Sequence, residues 1–125
     1  MINIDKQVEY WFNSALDDLE SAKLLILNNR VLHGLFFCHL VIEKAIKAIV
    51  VKETKEIAPR SHNLLYLAEI ANITFAEEDE VFLGILMKYQ LQGRYPDYQP
   101  NVPGIDRVNV YLIKTESLLS WLQQK

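Results

Sequence analysis

The chain has 125 residues, half of them hydrophobic and 23% charged, which predicts one globular domain spanning residues 1–125. The net charge of −3 excludes a globally basic protein, so any site for a polyanion must be a local patch. A single cysteine excludes a disulfide framework and fits a cytoplasmic location, and we expect neither a signal peptide nor a membrane span.

The first half of the chain predicts two long helices joined by a short turn. The first begins near Asn3 or Asp5, either of which can cap it, and ends at residues 28–30. The second runs over residues 31–51 and carries apolar residues on more than one side, which predicts a central helix with several neighbours. Gly34 near its start indicates either a close backbone approach or a loose first turn.

The second half predicts a short helix and two further long ones. Ser61 is a plausible cap for a short helix over residues 62–71, and the Thr74–Glu77 spacing of a capping box opens a helix to Leu91. Residues 94–104 form a long loop, the kind of segment that often carries function. A last helix covers residues 105–123. The sequence therefore predicts an all-α, antiparallel up-and-down bundle of four long helices and one short helix.

Several short patterns, taken in order, give the chain a family resemblance. They are A-x-x-D-L-x-x-A at residues 15–22, F-F-x-x-x-x-x-E-K-A-x-K-A at 36–48, R-S-H-N-L at 60–64 and R-Y-P-D at 94–97. Together they cover nearly the whole chain, which resembles the HEPN domain, named for nucleotide binding in higher eukaryotes and prokaryotes. The resemblance implies a helical bundle that binds nucleotide or RNA.

The ribonucleases of that family carry an arginine followed, after four to six residues, by a histidine. No arginine here has that spacing. Arg30 is separated from His33 and His39 by two and eight residues, Arg60 from His62 by one, and no histidine follows Arg94. The chain therefore resembles the non-catalytic members that are partners of minimal nucleotidyltransferases in toxin–antitoxin-like pairs. The resemblance implies that partner, and the apolar composition favours a homodimer. We expect no enzyme activity, cofactor or metal.

The candidate residues for binding nucleotide phosphate are Lys44, Lys47, Arg60, His62, Arg94 and Tyr95. Each has a structural alternative. Lys47 can pair with Glu43 at i, i+4 while Lys44 reaches solvent, and His62 can be a polar anchor between helices. Arg94 can neutralise a helix end, and Tyr95, like Tyr98, can pin the loop. His39 with Glu43 is a poor metal site, so a buried histidine bonded to a carboxylate is the favoured interpretation of that pair.

Two other functions stay open. The first is a ribonuclease with an atypical site, such as His62 with Arg60 or Arg94. The second is a module that docks a nucleotidyltransferase and never contacts a nucleotide. The acidic run at residues 77–80 is interpreted as the first turn of a helix rather than a metal site.

Overall fold

A computed structural model describes residues 2–92 and 101–125, with the side chains of residues 91 and 92 excepted. The described residues form five α-helices and no strand, as an antiparallel up-and-down bundle of four long helices and one short one. The fold predicted from the sequence is confirmed. The helices are α1 (Ile4–Leu27), α2 (Val31–Thr54), α3 (Leu64–Ile70), α4 (Glu77–Gln92) and α5 (Ile105–Gln123).

Helices α1 and α5 have the boundaries that the sequence predicts. The side chain of Asn3 caps α1 by accepting a hydrogen bond from the backbone N–H of Lys6 at 3.1 Å. Asn29 lies just past the end of α1 with a φ of 63°, the left-handed conformation that asparagine tolerates and that turns the chain into α2. Both ends of α1 could be predicted because each is set by residues that are adjacent in sequence.

Three predicted boundaries are corrected. Helix α2 continues three residues beyond Val51, to Thr54, and ends where Lys55 adopts a left-handed φ of 61°. The cap of α3 is Asn63, which accepts from the N–H of Tyr66, rather than Ser61, so α3 begins at residue 64. Helix α4 begins only at Glu77, so the predicted Thr74 cap is wrong. The predicted stop at Gly93 lies outside the described residues, as do residues 94–100 of the predicted loop.

Helix α2 is the centre of the bundle and packs against each of the other four helices. Its buried positions face all directions, and Leu35, Ile42 and Ile46 are completely inaccessible to solvent. Gly34 lies where α2 crosses α1, and a Cβ atom at this position would be 2.5 Å from Cγ1 of Ile26. The glycine therefore permits a close helix approach, which decides between the two alternatives left open by the sequence.

Within the described part of the chain, no helix is sufficiently long and apolar to cross a membrane. Helix α2 is long, but it carries His39, Glu43, Lys44 and Lys47 along its middle. Buried polar groups of this kind require partners inside the protein. Their partners define the candidate site.

Candidate functional site

A cluster of four polar side chains lies between α2 and the loop before α3. His39, Glu43 and Lys47 follow one another at i, i+4 spacing on α2, so their side chains share one face of the helix. His62 comes from the connection between α2 and α3 and lies against that face. We call these four residues the polar cluster.

Glu43 is the hub of the polar cluster. It is 3% exposed, and each of its carboxylate oxygens has a separate partner. Oε1 lies 2.9 Å from Nδ1 of His62, and Oε2 accepts a hydrogen bond from the ammonium of Lys47 at 3.1 Å. A buried carboxylate is costly unless it is paired and hydrogen-bonded, and both conditions are satisfied here.

Lys47 is also buried, at 6% exposed, and its ammonium group has two contacts. Besides Glu43, it lies over the ring of Trp11 on α1, 5.3 Å from the ring centroid. A cation over an indole face gains a cation–π interaction, which is stronger away from water. Lys47 therefore makes the helix-internal pair that the sequence offered as its alternative role, and it also links α2 to α1.

His39 is fully buried and does not make the hydrogen bond to Glu43 that the sequence suggested. Its Nδ1 is 3.7 Å from Oε1 of Glu43, beyond hydrogen-bonding distance, whereas its Nε2 is 3.1 Å from the backbone carbonyl oxygen of His62. Because a carbonyl only accepts, Nε2 of His39 donates. Burial lowers the pKa of His39 to about 4, so the ring is neutral at pH 7.

His62 differs from the rest of the polar cluster because 43% of its side chain is exposed. Its Nδ1 is fixed on Glu43, and this contact makes it the polar anchor between helices that the sequence offered as one alternative. An ionised carboxylate can only accept hydrogen bonds, so Nδ1 of His62 carries the proton. When the ring is neutral, Nε2 is consequently left with a free lone pair.

Lys44 does not extend into solvent. Its ammonium lies 2.7 Å from Oδ2 of Asp18 and 2.8 Å from Oγ of Ser14, both on α1, and its side chain is only 22% exposed. The structure thus corrects the alternative in which Lys44 simply reaches water. The proposed phosphate contact of this residue would have to compete with an ion pair inside the protein.

Of the three remaining candidates, the structure describes Arg60 but not Arg94 or Tyr95. Arg60 is exposed in the same loop as His62, two residues earlier, and has no ion pair or hydrogen bond from its side chain within residues 2–90 and 101–125. Arg94 and Tyr95, like Tyr98, lie outside the described residues. The phosphate-binding roles given to all six candidates remain predictions.

In the described part of the chain, no group of three or more His, Cys, Asp or Glu side chains is arranged to hold a metal ion. The acidic run at residues 77–80 occupies the first turn of α4, where negative charge favours the exposed helix amides. Its interpretation as part of a helix start is confirmed.

Comparison with protein families gives one match, which is the HEPN domain, over residues 8–125. The chain belongs to the HEPN family. Comparisons with curated proteins and with solved structures returned no match. Membership places this HEPN domain among nucleotide- and RNA-related modules at the level of the family, and the all-helical bundle is consistent with it.

Sequence reasoning missed the α1 side of the site. The sequence assigns no site role to Trp11 or Asp18, yet they contact Lys47 and Lys44 of this HEPN domain. The only available signal was their seven-residue spacing, which places both residues on the side of α1 that also carries the buried Ala15 and Ala22. That spacing indicates a face that packs on α2, but it does not identify partners.

Proposed function

We propose that this HEPN domain is a non-catalytic module that binds nucleotide or RNA through the loop between α2 and α3. It acts with a minimal nucleotidyltransferase in a toxin–antitoxin-like pair in the cytoplasm. The observation that carries the binding role is the surface position of Arg60 and His62. They are two residues apart in one loop, and the polar cluster holds His62 in place.

Arg60 is suited to the phosphate. A guanidinium stays charged, and its fork of N–H donors matches two phosphate oxygens. Its side chain has no competing partner among the described residues, in contrast to Lys44 and Lys47. Arg94 and Tyr95, which lie outside the described residues, are proposed to add a second phosphate contact and a stacking surface.

Titration of a fluorescein-labelled single-stranded RNA at low salt tests the binding role. Arg60→Ala should weaken binding by about tenfold, the loss expected for a charge-assisted hydrogen bond. Arg107→Ala is the matched control, because Arg107 is also exposed, on α5, and its loss changes the net charge by the same amount. Absence of binding by the wild-type domain, or equal losses for both variants, would contradict the proposal.

The partner is tested separately: the adjacent gene should encode a minimal nucleotidyltransferase, which is then co-expressed with this HEPN domain. Recovery of a complex supports the pair. A complex formed by a domain that binds no nucleotide or RNA would instead identify a pure protein-interaction module.

Self-association is proposed from exposed apolar residues. Leu27 at the end of α1 is 80% exposed and Ile113 on α5 is 65% exposed, which favours contact with another surface. Light scattering during gel filtration should give twice the monomer mass of 14.5 kDa. A monomer at all concentrations would remove the homodimer.

The contact between Glu43 and His62 supports a second candidate, an atypical ribonuclease. A carboxylate that orients an imidazole and leaves its other nitrogen exposed is an arrangement used by general bases. Metal-free RNA cleavage that disappears in His62→Ala would favour this enzyme over the non-catalytic module. An intact RNA after long incubation would exclude it.

A further inference from the structure

Two residues of α2 hold residue 62 at two points, one helical turn apart. His39 donates from Nε2 to the backbone carbonyl of His62 at 3.1 Å, and Glu43 accepts from its Nδ1 at 2.9 Å. The His39 donor and the Glu43 acceptor are 0% and 3% exposed, so both groups on α2 are shielded from bulk water. The imidazole of His62 is therefore fixed in position and in orientation.

The same contacts fix which ring nitrogen carries the proton. Oε2 of Glu43 accepts a hydrogen bond from the Lys47 ammonium, and Oε1 of the same carboxylate faces Nδ1 of His62, from which it accepts. A neutral His62 is consequently the Nδ1–H tautomer, and Nε2, on a side chain that is 43% exposed, can accept a hydrogen bond but cannot donate one. A phosphate oxygen, which has no proton to give, is the wrong partner for that atom. A hydroxyl group is a suitable one.

We propose that Nε2 of His62 accepts a hydrogen bond from a ribose 2′-hydroxyl, with Glu43 and His39 as positioning residues. This inference rests on the proposed binding of nucleic acid at the α2–α3 loop. The two exposed side chains of that loop then contact different groups of the ligand. Arg60 contacts the phosphate, which RNA and DNA share, and His62 contacts the hydroxyl, which only RNA has.

Three labelled oligonucleotides of one sequence test the proposal at pH 8. They are RNA, DNA and 2′-fluoro RNA, which lacks the hydroxyl proton. The wild-type domain should bind RNA about fivefold to tenfold more tightly than either of the others, the difference expected for one hydrogen bond.

Asparagine is the informative substitution at residue 62. In His62→Asn the side-chain amide can still donate to Glu43 from near the position of Nδ1, while nothing replaces Nε2. This variant should keep the wild-type melting temperature and its DNA affinity but lose the preference for RNA. Arg60→Ala is the matched control, since it should weaken RNA and DNA binding equally and leave the preference unchanged.

The positioning role is tested with the double variant Glu43→Gln/Lys47→Met, which removes both buried charges together. An amide at residue 43 can accept or donate, so it no longer fixes the tautomer, and the ratio of RNA affinity to DNA affinity should fall. Loss of a phosphate contact from Lys47 would weaken RNA and DNA binding equally and leave that ratio unchanged. Nitrogen-15 NMR of the histidine rings reads the tautomer directly. It should show a protonated Nδ1 in neutral wild-type His62 and a mixture in the double variant.

Each remaining outcome contradicts a different statement. Equal binding of the three oligonucleotides by the wild-type domain would overturn the hydroxyl contact and leave the proposed binding function standing. Binding of none of them would overturn both. A neutral His62 protonated on Nε2 would overturn the inference whatever the affinities are.

Discussion

Nδ1 of His62 donates a hydrogen bond to Oε1 of Glu43 across 2.9 Å, joining residues that are 19 positions apart in the chain. This contact fastens the connection between α2 and α3 to the central helix. Through it, the buried carboxylate of Glu43 orients the exposed imidazole of His62. Several consequences for stability and reactivity can be measured.

Removing Glu43 alone should destabilise the domain severely. In Glu43→Leu the buried ammonium of Lys47 loses its counter-charge, and we expect a decrease of about 3–5 kcal/mol in the free energy of unfolding. The double variant Glu43→Leu/Lys47→Met leaves no buried charge and should recover a large part of that loss. Urea denaturation of the three proteins measures both effects. A double variant no more stable than Glu43→Leu would show that the lost contact with His62 dominates.

His39 should make stability depend on pH below neutrality. Burial lowers its pKa from 6.5 to about 4, so between these values the unfolded chain binds a proton that the folded chain does not. The stabilising contribution is therefore complete above about pH 6.5 and decreases as the pH falls towards 4. At pH 4.5 the loss should be about 2–3 kcal/mol. His39→Gln can still donate to the carbonyl of His62, and its smaller decrease between pH 7 and 4.5 isolates the contribution of the imidazole.

The two helical glycines at positions 34 and 84 should respond oppositely to alanine. Gly34→Ala places a Cβ atom 2.5 Å from Cγ1 of Ile26, and separating α1 from α2 should cost about 1–3 kcal/mol. Gly84 on α4 has no atom within 4 Å of such a Cβ, so Gly84→Ala should stabilise by about 0.5–1 kcal/mol. Thermal unfolding of both variants and the wild-type protein measures these changes in stability. Equal effects would show that helix propensity, rather than the close approach, governs both positions.

Lys44→Ala should act on stability more than on binding. The substitution leaves the half-buried carboxylate of Asp18 without its 2.7 Å partner, and we expect a loss of about 1–2 kcal/mol. The sequence alone predicted weaker nucleotide binding for this variant. Titrating RNA at a temperature where the variant is fully folded separates the effect on RNA affinity from the effect on stability. A loss of affinity as large as that of Arg60→Ala would support the phosphate contact.

Cys38 should be inert towards thiol reagents in the folded protein. The side chain is completely buried, and burial raises the pKa of its thiol to about 11, so the reactive thiolate is scarce at pH 8. Addition of Ellman's reagent should give no signal in buffer and one equivalent in 6 M guanidinium chloride. Rapid reaction in buffer would indicate that the α2–α5 interface opens frequently.

The sequence by itself determined the helical bundle and most of its boundaries. Caps such as Asn3, left-handed residues such as Asn29 and the apolar period of α5 act over a few neighbouring residues, so a linear pattern contains them. The start of α4, later than the sequence predicts, shows the limit of such local patterns. Phe75 is buried with its ring 5.5 Å from Trp121, and this contact exists only once α5 has packed.

The tertiary structure decided the partners of the polar residues. The i, i+4 pair of Glu43 and Lys47 could be predicted, but the contacts of Lys44 with Asp18 and of Glu43 with His62 join separate elements. Ion pairs and hydrogen bonds require specific distances between atoms, and the packing of α1 and the α2–α3 loop on α2 sets those distances. For that reason, the residue types of the site could be read from the sequence, whereas which side chain remains free for a ligand could not.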